Sequence, residues 1–299
     1  MNCDKLPDDC EWAVEHLLED RENQYLDGKE HGLWREWHEN GQLSSEAIYV
    51  NGEENGLWRH WYENGQLSSE AIYVGGQEEG LWREWHDNGQ LMQEVIYVDG
   101  RKDGIWREWN RNGGMVLERG FKRGCLKGVY RAWHENGQLW EEGSYNDREN
   151  HDGLWRYWYP NGQIKTEGTY VDDCEDGLWR AWHENGQLWE EGVYVDGKVD
   201  GKWCQWYESG LIRVEENYVN GLLKGVYRNW YDNGVLEREG NYVNNKKEGL
   251  WRYWYANGQL ELEGCFVGDD EDGKWRWWNE DGSLNRECIY NRGKSDGED

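Results

Sequence analysis

Apolar and polar side chains alternate along this chain in short runs, and the runs return every 24 residues. One run reads Gly32-Leu33-Trp34-Arg35-Glu36-Trp37, and its companion reads Leu43-Ser44-Ser45-Glu46-Ala47-Ile48-Tyr49-Val50. A period of two marks a half-buried strand, and an Asn-Gly between two such runs, as at Asn40-Gly41, marks a hairpin. The heading glycine recurs at Gly32, Gly56, Gly80, Gly104, Gly128, Gly153, Gly177, Gly201, Gly225, Gly249 and Gly273. Only the interval from Gly128 to Gly153 is a residue longer. A period of this length predicts an array of small supersecondary units, none of which can bury a core alone.

Taking the heading glycine as position 0, position +5 is Trp in every unit, +9 is Gly and +14 is Glu. Position +2 is Trp or Tyr, and +17 is Tyr or Phe. If Asn40-Gly41 is a two-residue type I′ turn, positions whose offsets sum to 17 face each other across the hairpin. That register sets Arg35 against Glu46, Arg276 against Glu287, and Tyr49 over Gly32. It also opposes Trp133 to Trp140 and Trp182 to Trp189. Charged and aromatic cross-strand pairs of this kind each contribute roughly 0.2–1 kcal/mol.

Alternation then sorts the side chains onto two faces. One carries the aromatics at +2 and +17, a small residue at +15, His or Tyr at +6 and Leu at +11; it is the expected core side. The other carries Leu at +1, Arg at +3, Trp at +5, Glu at +14 and often Val at +18. The predicted fold is all-β: an elongated single-layer antiparallel sheet of tandem 24-residue β-hairpins, with a short N-terminal helical cap. Residues 1–21 are expected to form that cap, residues 22–290 the array (a half-repeat and eleven units), and residues 291–299 a disordered acidic tail.

Charge narrows the function. A net charge of −28 opposes nucleic acid and anionic membrane surfaces. Seven scattered cysteines without a CxxC pair indicate neither a disulfide framework nor a zinc site. With no apolar run of membrane-spanning length and no leader pattern, an intracellular location is expected. His38, His86, His134 and His183 all sit at +6 and recur by register, which is a structural choice and not the unique break an active site would make. No catalytic residues, metal site or cofactor are expected.

The unit G-L-W-R-E-W-H-E-N-G-Q-L-S-S-E-A-I-Y, from Gly32 to Tyr49, resembles the MORN repeat. It is similar to the variant seen in bacterial proteins labelled as YwqK-type antitoxins and in repeat proteins of large DNA viruses. The resemblance runs from Glu22 to about Tyr290, and it implies stacked antiparallel hairpins acting as a binding or self-association scaffold. The expected partner is another protein or a second copy of the chain. The candidate contact surface is the tryptophan row Trp37, Trp61, Trp85, Trp109, Trp133, Trp158, Trp182, Trp206, Trp230, Trp254 and Trp278, with Trp140 and Trp189. Exposed aromatics beside arginine are the residue types enriched at binding hot spots. Two alternatives stay open at this level: an aromatic array that binds choline or sugar, and a peripheral membrane module.

Overall fold

A computed structural model describes residues 22–295. The expected helical cap at residues 1–21 lies outside the described residues. The chain is all-β, and among the described residues every regular element is a strand. It divides into two compact units, residues 1–150 and 151–299. The division falls within the one lengthened interval, between Gly128 and Gly153. The first unit contains the hairpins headed by Gly32 through Gly128, and the second those headed by Gly153 through Gly273. In each unit the hairpins follow one another as antiparallel neighbours: Lys29–Trp37 pairs with Leu43–Val50, which pairs in turn with Gly56–Trp61.

Within each hairpin the expected register holds over most of its length. Gly32 pairs with Tyr49, Trp34 with Ala47 and Arg35 with Glu46. At the loop end it slips by one residue, so that Trp37 faces Leu43. The turn is therefore not the two-residue type I′ expected. Gly41 N–H donates to the His38 carbonyl at 2.9 Å, His38 N–H donates to the Gln42 carbonyl at 2.8 Å, and Gly41 alone takes a positive φ, of 82°. This is a three-residue loop, a type I turn closed by a left-handed glycine. The slip has two consequences. Leu at +11 moves from the core face to the tryptophan face, and the residue at +12 is left unpaired. Trp140 and Trp189 occupy +12, so Trp133 and Trp182 face Leu139 and Leu188 instead.

Between hairpins a second irregularity explains the heading glycine. Glu167 pairs with Arg180 and Thr169 with Asp176, so Gly177, Leu178 and Trp179 span the place of the single residue Gly168. Gly177 makes the bend at φ 84°, and a Cβ there would meet nothing within 4 Å. Its constraint is conformational, not steric, because L side chains avoid that region. The bend lays each +2 aromatic on the +15 residue of the preceding hairpin. Added Cβ atoms at Gly168, Gly240 and Gly264 would fall inside the rings of Trp179, Trp251 and Trp275.

The core is thus a zigzag of rings on one face. In the second unit, Tyr170, Trp179, Tyr194 and Trp203 meet edge-to-face at centroid distances of 5.1, 5.8 and 5.6 Å. Farther on, Tyr242, Trp251, Phe266 and Trp275 do so at 5.1, 6.2 and 5.0 Å. Such contacts add about 0.5–1.5 kcal/mol each beyond area burial. Trp155 and Trp251 are fully buried.

One carboxylate pays for lying on this face. Glu190 pairs with Gln205, whose amide donates to it at 3.3 Å, and burial raises its pKa above the ordinary value. A carboxyl whose folded pKa is raised binds more protons folded than unfolded, so stability falls as pH rises through that range and no penalty exists below the unfolded value. Glu190→Gln is accordingly expected to raise the melting temperature at pH 7 and leave it unchanged at pH 3.5. Thermal unfolding at the two pH values checks this; an equal shift at both would sink the assignment.

Candidate interaction surface

The opposite face is organised by charge. At each hairpin the +3 arginine donates from Nε to the +14 glutamate, as in Arg35 to Glu46 and Arg180 to Glu191, at 2.8 and 2.7 Å. Its Nη1 reaches the +14 glutamate of the preceding hairpin, as in Arg107 to Glu94 and Arg276 to Glu263, at 3.2 and 3.1 Å. Several internal carboxylates therefore sit between two guanidinium groups; Glu118, the most buried, lies between Arg107 and Arg131. These pairs are a third or more exposed on the arginine side, which limits each to about 1 kcal/mol or less. One hairpin breaks the pattern: Cys204 takes the arginine position, and Lys202 supplies the cation to Glu215 at 2.5 Å. Burial pushes the Cys204 thiol pKa up, so it is held as a neutral thiol and not as a reactive thiolate.

The +6 residues, which recur by register, have a visible task. His38 Nε2 donates to the Trp61 carbonyl at 2.8 Å, and Tyr62, Tyr159 and Tyr207 hydroxyls donate to the Trp85, Trp182 and Trp230 carbonyls at 2.7, 2.8 and 2.6 Å. Asn at +8 does the same two residues on: Asn185 Nδ2 donates to the Glu208 carbonyl while its Oδ1 accepts from Gln187 N–H. Together they tie each loop to the next.

These loops fix the candidate tryptophans. Trp37, the first, is half exposed. Trp61, Trp85, Trp109, Trp133, Trp158, Trp182, Trp206, Trp230, Trp254 and Trp278 are all of intermediate burial. Trp140 and Trp189 are exposed at the unpaired +12 position, each with a histidine ring, His134 or His183, 6.2 Å away.

The more open apolar surface is aliphatic. In the second unit Leu154, Leu178, Val226 and Leu250 at +1, and Val171, Val195, Val219, Val243 and Val267 at +18, are all 40–51% exposed. Strand alternation places them on the side of the Arg–Glu ladder. Leu at +1 and Val at +18 are legible in the sequence. Their greater exposure relative to the tryptophans is not, because the loop slip sets the +11 side chain, Leu, Ile or Met115, opposite each +5 ring.

The chain resembles known proteins in two ways. Among solved structures, a crystal structure of TcdB2-TccC3-Cdc42 aligns over 90% of this chain and 19% of its own length, at 11% identity and a TM-score of 0.19. A Photorhabdus luminescens Tc holotoxin pore structure aligns over 87% of this chain and 17% of its own, at 10% identity and a TM-score of 0.19. The chain thus spans less than a fifth of the length of these solved chains. No curated protein matches it. The MORN repeat variant, by contrast, matches ten times: at residues 30–51, 54–74, 78–99, 126–147, 152–172, 175–196, 199–220, 223–244, 247–267 and 271–292. The hairpin headed by Gly104 is not among these matches, yet it folds in the same register, with Gly104 against Phe121 and Arg107 against Glu118. Ten matches on one recurring hairpin place the chain in the MORN repeat variant family.

Proposed function

We propose that this chain is a non-catalytic scaffold that binds another protein, or a second copy of itself, through its aliphatic, Arg–Glu-laced face. The observation that carries this reading is the repeated exposure of leucine and valine at +1 and +18 in the second unit. Apolar side chains scattered singly on a surface need no explanation, but a row at fixed spacing offers a continuous contact. The flanking guanidinium–carboxylate pairs supply a polar rim that selects orientation more than it adds affinity. The net charge of −28 favours a partner with a basic surface and disfavours nucleic acid.

Affinity capture from a lysate, beside light scattering of the purified chain, tests this. Replacing Leu154, Leu178 and Leu250 together by Glu is expected to lower partner retention, or the association constant of a dimer, at least tenfold. The fold should survive, since each of these side chains is already more than 40% exposed. Trp140→Ala with Trp189→Ala serves as the comparison. If that pair abolishes binding and the leucine variant does not, the contact lies at the loop tryptophans instead.

A further inference from the structure

On the other face, the core side of the first unit, the packing is left open between the first two hairpins. A cavity of about 150 Å³ is lined by Trp34, Tyr49, Trp58, His60, Glu30 and Glu36. Ser45 and Ala47 form its floor. The next hairpin carries the same pair, Ser69 with Ala71, whereas farther along the pairs include Leu117 with Arg119 and Leu262 with Gly264, the latter covered by Trp275. The space is well above the roughly 10–15 Å³ that one water requires.

Two carboxylates, the His60 imidazole and the unpartnered Trp34 indole N–H line this aromatic space. Glu30 and Glu36 supply the carboxylates. His60 Nε2 is buried without a hydrogen-bond partner. In the neutral ring one nitrogen carries the proton and the other keeps a free lone pair. Burial lowers the imidazole pKa, which favours this neutral form.

The chain's own repeats show what such a site accepts. Glu30 stands two residues ahead of Gly32; the residues at that place ahead of Gly104 and Gly249 are Lys102 and Lys247. Lys102 Nζ lies 4.1 Å from the Trp106 ring centroid and 5.4 Å from that of Phe121. Lys247 Nζ lies 4.8 Å from both Trp251 and Phe266. Trp106 with Phe121, and Trp251 with Phe266, are the register counterparts of Trp34 with Tyr49. Two hairpins therefore deliver their own ammonium to this ring pair. The first keeps the rings, whose centroids are 6.0 Å apart, and replaces the lysine by a carboxylate.

We infer that the cavity between the first two hairpins binds an alkylammonium group, seated on Trp34 and Tyr49 and paired with Glu30. Ring faces attract such cations, and a carboxylate beside them adds charge complementarity. The ammonium can come from a free small amine or from a lysine side chain of a bound protein. The site lies on the opposite face from the aliphatic row, so it stands or fails independently of the proposed function.

Indole N–H resonances of the full chain, followed during titration, provide the test. The probes are n-butylammonium, choline, Nα-acetyl-lysine methylamide, and 3,3-dimethylbutan-1-ol as the uncharged counterpart of choline. Saturable shifts with the cations and none with the alcohol are expected. Glu30→Lys, which copies the arrangement at Lys102 and Lys247, should weaken cation binding at least tenfold, because its own ammonium fills the site. Glu30→Gln removes the charge with little change in shape and should also weaken it. Tighter binding of the lysine derivative assigns the site to a protein side chain; tighter binding of choline or n-butylammonium assigns it to a free amine. Equal binding of the alcohol, or undiminished binding by both Glu30 variants, overturns the inference.

Discussion

Trp251→Ala is expected to destabilise the protein by about 3–5 kcal/mol, the range for deleting a large aromatic from a core. Trp251 has no solvent exposure. Its ring meets Tyr242, Phe266 and Tyr253, its indole N–H donates to the Asn241 carbonyl at 3.2 Å, and it lies directly on Gly240. Gly240 offers no side chain to refill the space, so collapse around the vacancy is limited and the cost should fall in the upper half of that range. In a repeat array the loss acts through nearest neighbours. Hydrogen exchange should therefore accelerate first in the hairpins headed by Gly225, Gly249 and Gly273, with the first unit protected as before. Trp189→Ala, at an exposed loop position, should change stability by no more than about 0.5 kcal/mol. Urea denaturation followed by circular dichroism, with exchange mapping, separates the two. Equal costs would mean the ring zigzag is not the core.

That contrast also marks how far the sequence could be read. The +2 aromatic and the small residue at +15 are visible as a pattern, and their sharing of one buried face follows from alternation. The Arg–Glu pairing at +3 and +14 follows from the same alternation once a hairpin is assumed. The loop was harder. Asn-Gly satisfies both a two-residue turn, with two positive φ values, and a three-residue turn, with one at the glycine. The local residues do not choose between them. The structure's choice shifts Leu43 and its counterparts by one face and takes Trp140 and Trp189 out of opposition to Trp133 and Trp182. The open cavity at Trp34 was hidden for a different reason. Reading it required knowing that the next hairpin's Trp58 and His60 lie beside Tyr49, an inter-hairpin contact set by the bend at Gly56.

The junction after Phe121 carries the second large effect. Here Arg119 pairs with Tyr130 and Phe121 with Leu126, so the irregularity falls one residue later than at Gly168, Gly240 and Gly264. Gly120 occupies that place. A Cβ on it would run into the Lys127 carbonyl oxygen and lie 3.2 Å from Val129 N, and both are backbone atoms that no rotamer change can move. The matching residue in the three preceding hairpins is Ile48, Ile72 or Ile96. By averaging over repeats, Gly120→Ile looks like a restoration of the common residue and should stabilise a strand. From the local geometry the opposite follows: the change should cost about 3 kcal/mol, the upper end for overpacking, since relief requires moving the irregularity itself. Arg119 opposes that move, because its guanidinium sits 5.4 Å from the Trp106 ring and 5.6 Å from the Tyr130 ring, contacts set by the present register. Combining Gly120→Ile with Arg119→Ala, the residue found at Ala47 and Ala71, should recover part of the loss by freeing the junction to adopt the register of its neighbours. Denaturation midpoints of the single and double variants decide between the two accounts. A stabilising Gly120→Ile would show that the register of this junction is set by its neighbours and not by its own residues.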